Sequence, residues 1–142
     1  MQIQEVQELG TEELVELYSS VGWDAYTDDP EGLTRAVCSS TYIVTARKHS
    51  VLIGLARVLS DEVSIAYLQD VLVDSGFQGD GVGRALMEAC MERFAHVRAF
   101  VLMTDDSSRQ LRFYEKMGLS NTRTLTRVQL NTFVRFKGVE LS

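Results

Sequence analysis

Six residues, Gln78-Gly79-Asp80-Gly81-Val82-Gly83, put glycine at every second position between an apolar run and a helix-like segment. A strand that turns this way into a helix leaves the helix's first N–H groups without internal partners, and glycine lets an anion approach the backbone closely. Three kinds of loop have this character. A Walker-type nucleotide loop needs Lys and then Ser or Thr after its last glycine, but Arg84-Ala85 stands here, so that reading falls. A dinucleotide loop needs Gly-x-Gly-x-x-Gly, and Gly79-x-Gly81-x-Gly83 is one residue off. Asp105 or Asp106 does lie at about the right distance for a ribose contact, but three strands precede the loop and too few β-α repeats follow it. A purely structural tight turn is the third reading.

Other chemistry-bearing residues sit around this loop in the sequence. Asp70 is the only carboxylate between Val63 and Val73. Alternation along that strand places Tyr67 and Gln69 on one face and Asp70 on the other, unless a bulge intervenes. Arg57 is an unusual residue for a strand interior. It has Asp70 or Asp61 as its partner, or it faces a ligand. Trp23 and Tyr26 lie in the turn between two predicted helices, where they line an apolar pocket or cap the core. Tyr114 shares helical spacing with Leu111 and Gly118, which by itself reads as core. Two cysteines (Cys38, Cys90) and two histidines (His49, His96) make neither a disulfide framework nor a conventional zinc site, so no metal is expected.

The elements that must position these residues are legible in outline. Ile3 and Val6 suggest a first strand. Thr11 is the expected N-cap of a helix with Leu14, Leu17, Tyr18 and Val21 on one face, closed by Gly22. Asp29-Pro30 is a cap followed by proline at the first helical position, with Leu33 and Val37 inward. Tyr42 to Arg47 and Val51 to Leu59 form a hairpin across Lys48-His49-Ser50, and Val63 to Val73 follows a turn at Ser60-Asp61-Glu62. A long helix starts near Gly81 with Val82, Leu86, Ala89, Cys90 and Phe94 on one stripe. Ala99 to Met103 reads as a buried strand. Ser107 to Met117 reads as a helix behind the capping candidates Asp105 and Asp106, ended by Gly118. Leu125 to Phe136 is rich in β-branched and aromatic residues and predicts two strands around Asn131. The order β-α-α-β-β-β-α-β-α-β-β predicts an α/β (α+β) fold. It has one mixed central sheet of about six to seven strands with four helices, in a single domain over 1–142.

Composition narrows the function classes. The chain has 142 residues, 45% apolar and 24% charged, with a net charge of −6. An acidic balance argues against nucleic acid as a partner, and no run is long and apolar enough for a membrane span. Met1 to Glu5 shows no basic region before an apolar run, so no signal peptide is expected and the cytoplasm is the expected compartment. Met1 to Thr34 holds nine acids and no Lys or Arg, while the rest holds eleven acids and fourteen bases. That segment is either a solvated acidic face or a region that attracts a cation.

Gln78-x-x-Gly81-x-Gly83 resembles the Gln/Arg-x-x-Gly-x-Gly/Ala pyrophosphate loop of the GCN5-related N-acetyltransferases. The preceding Val71-Leu72-Val73-Asp74 is similar to that family's strand, and Phe113-Tyr114-Glu115-Lys116-Met117-Gly118-Leu119 resembles its Phe-Tyr-x-x-x-Gly-Phe segment. The element order is similar as well, so the resemblance covers nearly the whole chain. Gly22-Trp23-x-x-Tyr26, Leu52 to Arg57 and Gln69 to Val73 look most like small bacterial members and plant enzymes similar to serotonin acetyltransferase. The resemblance implies transfer of acetyl from acetyl-CoA to an amine by direct attack in a ternary complex. It places the pyrophosphate on backbone N–H groups from Gly79 through Asp80, Gly81 and Val82 to Gly83. Gln78 would lie nearby, and Arg84 is either a further charge contact or a solvated surface arginine. Val71 and Val73 would pair their backbone with the pantetheine arm, on which Phe113 would pack, and an N–H near Val73 would hold the oxyanion.

Tyr114 would protonate the leaving thiolate, its phenol of pKa about 10 being suitably matched. Asp70 would be base or amine anchor, or a carboxylate satisfied by structural hydrogen bonds. Trp23, Tyr26, Arg57, Tyr67 and Gln69 would border the acceptor. Three positions depart from the family: Asp106 where Asn is common, Ser75 for Pro, and Leu119 for Phe. A small cationic primary amine is the expected acceptor, with a peptide, lysine or aminoacyl acceptor, or a non-catalytic acyl-CoA sensor, as alternatives. A homodimer completed by the tail strands is a further expectation.

Overall fold

The computed structural model describes residues 1–142. The chain divides into two compact units, Met1–Met103 and Thr104–Ser142. The first contains β1 (Gln2–Val6), α1 (Thr11–Ser20), α2 (Asp24–Thr27), α3 (Pro30–Cys38), β2 (Tyr42–Lys48), β3 (Val51–Ser60), β4 (Ile65–Val73), α4 (Val82–Arg93) and β5 (Ala99–Leu102). The strands form one sheet in the order β1-β2-β3-β4-β5. Every pair is antiparallel except β4–β5, which is parallel and therefore needs a crossover. That crossover is α4.

Apolar spacing explains which faces are buried. Leu14, Leu17 and Tyr18 of α1 and Leu33 and Val37 of α3 pack with Leu9 on Ile43, Leu52, Leu55 and Leu72 of the sheet. Val82, Leu86, Met87 and Cys90 of α4 are buried as well. β3 is thus covered on both faces and is buried continuously from Leu52 to Val58. Burial pushes the Cys90 thiol up to about 12, so it stays an inert apolar filler.

The turns carry their own chemistry. The Asp29 carboxylate accepts the Gly32 N–H at 3.0 Å, with Pro30 opening α3 as the sequence predicts. Asp61 accepts N–H bonds from Val63, Ser64 and Ile65 and the hydroxyl of Ser64. The β3–β4 turn therefore extends through Ser64, and β4 starts at Ile65 rather than Val63. The cap of α1 also differs from expectation. Gly10 is the N-cap, and Thr11, already helical, bonds its hydroxyl to that of Thr34 at 2.8 Å. The short α2 was not legible at all, since four residues carry no periodicity. β5 is half-buried rather than buried, being the last strand of the sheet. No helix is long and apolar enough to cross a membrane.

The second unit holds α5 (Ser108–Lys116) and a 3-10 turn, Thr122–Thr124. Ser107 caps α5 by accepting the Gln110 N–H at 3.2 Å. Of the expected caps, Asp105 accepts the Ser107 N–H instead, and Asp106 pairs with Arg123 at 3.0 Å. Gly118 ends the helix at φ +93°, as expected. The two tail strands are absent, so the sheet has five strands and the chain five helices, one of them the unforeseen α2. β-branched and aromatic residues fit a pleated surface but form a strand only against a partner. In the tail Val128, Leu130, Val134 and Phe136 are exposed, and Phe133 is 94% exposed.

Candidate functional site

Over the stretch where β3 and β4 pair, β4 has one residue more than β3. Arg57 lies opposite Asp70 and Val58 opposite Leu68, leaving Gln69 unpaired. A bulge of this kind re-aims side chains that alternation would separate. Gln69 and Asp70 both reach one atom as a result: the Tyr26 hydroxyl donates to Asp70 Oδ1 at 2.9 Å and accepts from Gln69 Nε2 at 3.2 Å. The simple alternation of Tyr67 and Gln69 against Asp70 does not hold here.

Asp70 is not free. Its Oδ2 accepts from Arg57 Nε at 2.6 Å and from the Tyr18 hydroxyl at 2.9 Å. Asp70 is 4% exposed and Arg57 5%. Arg57 also donates from Nη1 to the Ala36 carbonyl at 3.2 Å and to Ser40 Oγ at 3.3 Å. Of its two possible partners, then, Arg57 takes Asp70, while Asp61 is spent on its own turn. Burial works against the Arg57 charge, yet the Asp70 carboxylate more than compensates and holds its pKa above the usual value. Burial first, and the Asp70 charge second, push Tyr18 far up and Tyr26 up. Burial also raises Tyr67.

Aromatic rings hold Tyr26 in place. Its centroid lies 5.1 Å from Tyr18 and 6.0 Å from Trp23, and Tyr18 and Trp23 are 5.8 Å apart. The structure thus brings Trp23, Tyr26, Gln69 and Asp70 together, with Arg57 paired to Asp70. Tyr18 is the member the sequence reading missed. The available signal was a tyrosine on the buried face of α1, because a buried phenol needs a hydrogen-bond partner.

β4 also has an open side. Its ladder with β5 runs from Ile65↔Ala99 to Leu68↔Leu102 and ends there. Val71 and Val73 lie beyond it, paired only with Ala56 and Gly54 of β3. The strand then enters the glycine loop, which is braced from within. Asp74 N–H donates to the Ile53 carbonyl at 2.8 Å, Asp74 Oδ1 accepts the Gly76 N–H at 2.8 Å, and Gln78 Nε2 donates to the Val73 carbonyl at 3.2 Å.

Gly79 and Gly81 have φ +91° and +81°, and a Cβ at either would meet nothing within 4 Å. Conformation, not crowding, requires glycine there, and the space beside the backbone is open. Gly81 caps α4 with no side chain over it, and the first helical bond runs from Ala85 N–H to the Gly81 carbonyl at 3.1 Å. The N–H groups of Val82, Gly83 and Arg84 precede that bond. The Val82 side chain is buried. Arg84 is exposed and pairs with Glu88 at 2.8 Å. Asp80, Val82, Phe77, Ile53, Lys48 and Met1 line a cleft of about 360 Å³ beside the loop. An uncapped helix start, left-handed glycines and an open strand edge fit a diphosphate that carries an amide-bearing arm.

In the second unit Phe113 and Tyr114 are half-buried on α5, edge to face with ring centroids 5.0 Å apart. Burial, then the Asp105 charge, raises the Tyr114 phenol.

The acetyltransferase (GNAT) family model matches residues 4–119. The chain belongs to this family. It is similar to a histone acetyltransferase of Glycine max, 33% identical over 121 residues, covering 75% of this chain and 50% of that protein. A probable acetyltransferase of the same plant is 39% identical over 69 residues, 47% of this chain and 27% of that protein. The chain therefore spans about half the length, or less, of these curated relatives. Among solved structures, a GNAT-family acetyltransferase from Streptococcus pneumoniae has a TM-score of 0.79 and 26% identity, covering 95% of this chain and 98% of that one. Relatives of this GNAT chain come from plants as well as bacteria, so the narrower resemblance to small bacterial members does not separate it from them.

Proposed function

We propose that this chain transfers acetyl from acetyl-CoA to the primary amine of a small cationic acceptor. Family membership supports the reaction. One arrangement carries the acceptor class: Trp23, Tyr26 and Gln69 gather at the β4 bulge, beside the stretch of β4 that has no neighbouring strand on its β5 side. An aromatic wall with polar atoms set in it suits a compact amine with an apolar body. The acids of the N-terminal segment, with Asp24 opening α2 and Asp28 at its C-cap, favour a cation over an anion.

Acetyl-CoA supplies an activated thioester when bound. In the first unit the chain's own contributions are the loop N–H groups from Gly79 to Gly83 as holders of the diphosphate and the β4 edge at Val71 and Val73 as holder of the arm. In the second unit the resemblance of the Phe113-Tyr114 segment to the family supports Tyr114 as the proton donor. The buried Asp70, with three donors on its carboxylate, supports a structural role over that of a free base.

A protein acceptor is the second reading, favoured by the likeness to a histone acetyltransferase. Thiol release from acetyl-CoA, measured against primary amines, lysine peptides and N-terminal peptides, decides between them. Turnover of amines with saturating kinetics supports the small-acceptor reading, and turnover of peptides alone overturns it. Binding of acetyl-CoA with no release for any acceptor would make the chain a sensor.

A further inference from the structure

The cleft beside the glycine loop is lined by one cation, Lys48, and that cation has no carboxylate partner. Arg47, Arg57, Arg84 and Arg93 of the first unit all hold carboxylates, whereas Lys48 holds none. Its ammonium lies 5.7 Å from the centroid of the Phe77 ring, within the range of a cation–π contact. Both partners are fixed by their own elements. Phe77 N–H donates to the Asp74 carbonyl at 2.8 Å. Lys48 is the last paired residue of β2, opposite Val51. Between these two, His49 and Ser50 turn at φ +50° and +67°. Such a turn ordinarily takes Asn-Gly; here Arg47, itself paired with Glu13, braces it by donating to the Ser50 carbonyl at 2.9 Å.

Sheet order gives the cleft a direction. The open edge of β4 at Val71 and Val73 is on its β5 side. The cleft is on the opposite side: Ile53 belongs to β3, Lys48 to β2, and Met1 precedes β1. Asp80 and Val82 line it as well, so cleft and loop are continuous. A diphosphate ester joins two different groups. With the diphosphate on the loop and the arm along the β4 edge, the other end of the ligand is directed toward the cleft. In CoA that end is a ribose carrying a phosphomonoester, close to doubly charged at neutral pH.

We propose that this cleft takes the phosphomonoester at the nucleotide end of CoA, with Lys48 as the residue that contacts it and Phe77 as the positioning residue that holds the Lys48 ammonium over the cleft. The inference rests on the acetyl-CoA reading given above. Asp80 is the one acid among the lining residues, and its charge opposes the phosphomonoester.

The test compares CoA with dephospho-CoA, which lacks only that phosphate, by titration calorimetry on the full chain. Wild type should bind CoA about fivefold more tightly, the size of one exposed charge contact. Lys48 is exposed, so its replacement spares the core. Lys48→Met should bring the two ligands level by weakening CoA alone. Lys48→Arg should keep the preference, Phe77→Leu should reduce it, and Asp80→Asn should widen it. The wild-type preference should shrink as salt rises, because an exposed contact is screened, while the Lys48→Met ratio should stay flat.

Equal binding of the two ligands by wild type, or a preference that survives in Lys48→Met, overturns the inference and leaves the acetyl-CoA reading intact. A preference lost in Arg84→Gln but kept in Lys48→Met overturns it too, and moves the phosphomonoester to the first turn of α4. Binding of neither ligand sinks the acetyl-CoA reading and the inference together. The expected preference without thiol release for any amine would sink acetyl transfer alone.

Discussion

Arg57 Nε sits 2.6 Å from Asp70 Oδ2, with both side chains almost excluded from solvent, directly across the β3–β4 ladder. A buried pair of this kind is costly to break on one side, because the remaining charge has no water to turn to. Arg57→Met should therefore lose about 3–5 kcal/mol of stability. Arg57→Met with Asp70→Leu should lose less than the single change. Urea unfolding of the three proteins measures this, and a double variant as unstable as the sum of both singles would contradict it.

Tyr18 predicts an alkaline limit to stability. Its folded pKa lies far above the unfolded value of about 10, so above pH 10 the unfolded chain loses a proton that the native chain keeps. Fewer protons on the unfolded state make stability fall as pH rises. The slope is about 1.4 kcal/mol per pH unit for this group, and the contribution is fully present below pH 10. Tyr18→Phe should flatten the decline seen in urea melts above that pH. An identical slope in the variant would show that the other tyrosines account for all of it.

Ligand-linked melting tests the loop. Acetyl-CoA and CoA should raise Tm, by the equivalent of about 2.7 kcal/mol at a hundredfold excess over Kd, while NAD and ATP should not. Gly81→Val forces a branched side chain into φ +81° and should abolish the shift. A shift with NAD but none with acetyl-CoA would reverse the assignment of the loop.

Tyr114→Phe removes one hydroxyl and keeps the ring beside Phe113. Turnover should fall by ~10²–10⁴ with acetyl-CoA affinity little changed, the range of a lost acid. The raised phenol keeps its proton through neutral pH, so wild-type turnover should show no loss from this group below pH 10. Unchanged turnover in the variant would assign the proton to water.

Replacing Asp24, Asp28 and Asp29 by Asn preserves the α3 cap, since asparagine also caps, while removing charge beside Trp23 and Tyr26. The acceptor KM should rise at low salt and converge with wild type as screening shortens to about 8 Å at physiological salt. A difference that persists in high salt would mean contact rather than attraction at a distance.

The sequence made some of this site legible and hid the rest for physical reasons. The glycine loop is readable because left-handed φ at Gly79 and Gly81 admits few residues other than glycine, and Asp29-Pro30 because a cap and a first-turn proline act locally. The Gln69 bulge has no local signature; it exists only as a mismatch in count between β3 and β4. Tyr18 looked like one more apolar position on α1 because its phenol finds Asp70 only through a fold that brings together residues 52 positions apart. The tail misled in the opposite sense: the composition of Val128 to Phe136 suits a strand, but no strand partners it.

The extra residue in β4 matters by its place in the count as well as by its side chain. Gln69→Ala removes one hydrogen bond to Tyr26 and keeps the offset. Excision of codon 69 would restore an unbroken ladder, and alternation would then set Tyr67 two positions from Asp70 on the same face of the strand, with no residue left at the bulge to meet Tyr26. A deletion scan along Ile65 to Val73 should find position 69 tolerated for folding and lethal for acceptor binding, whereas deletions at its neighbours should abolish both.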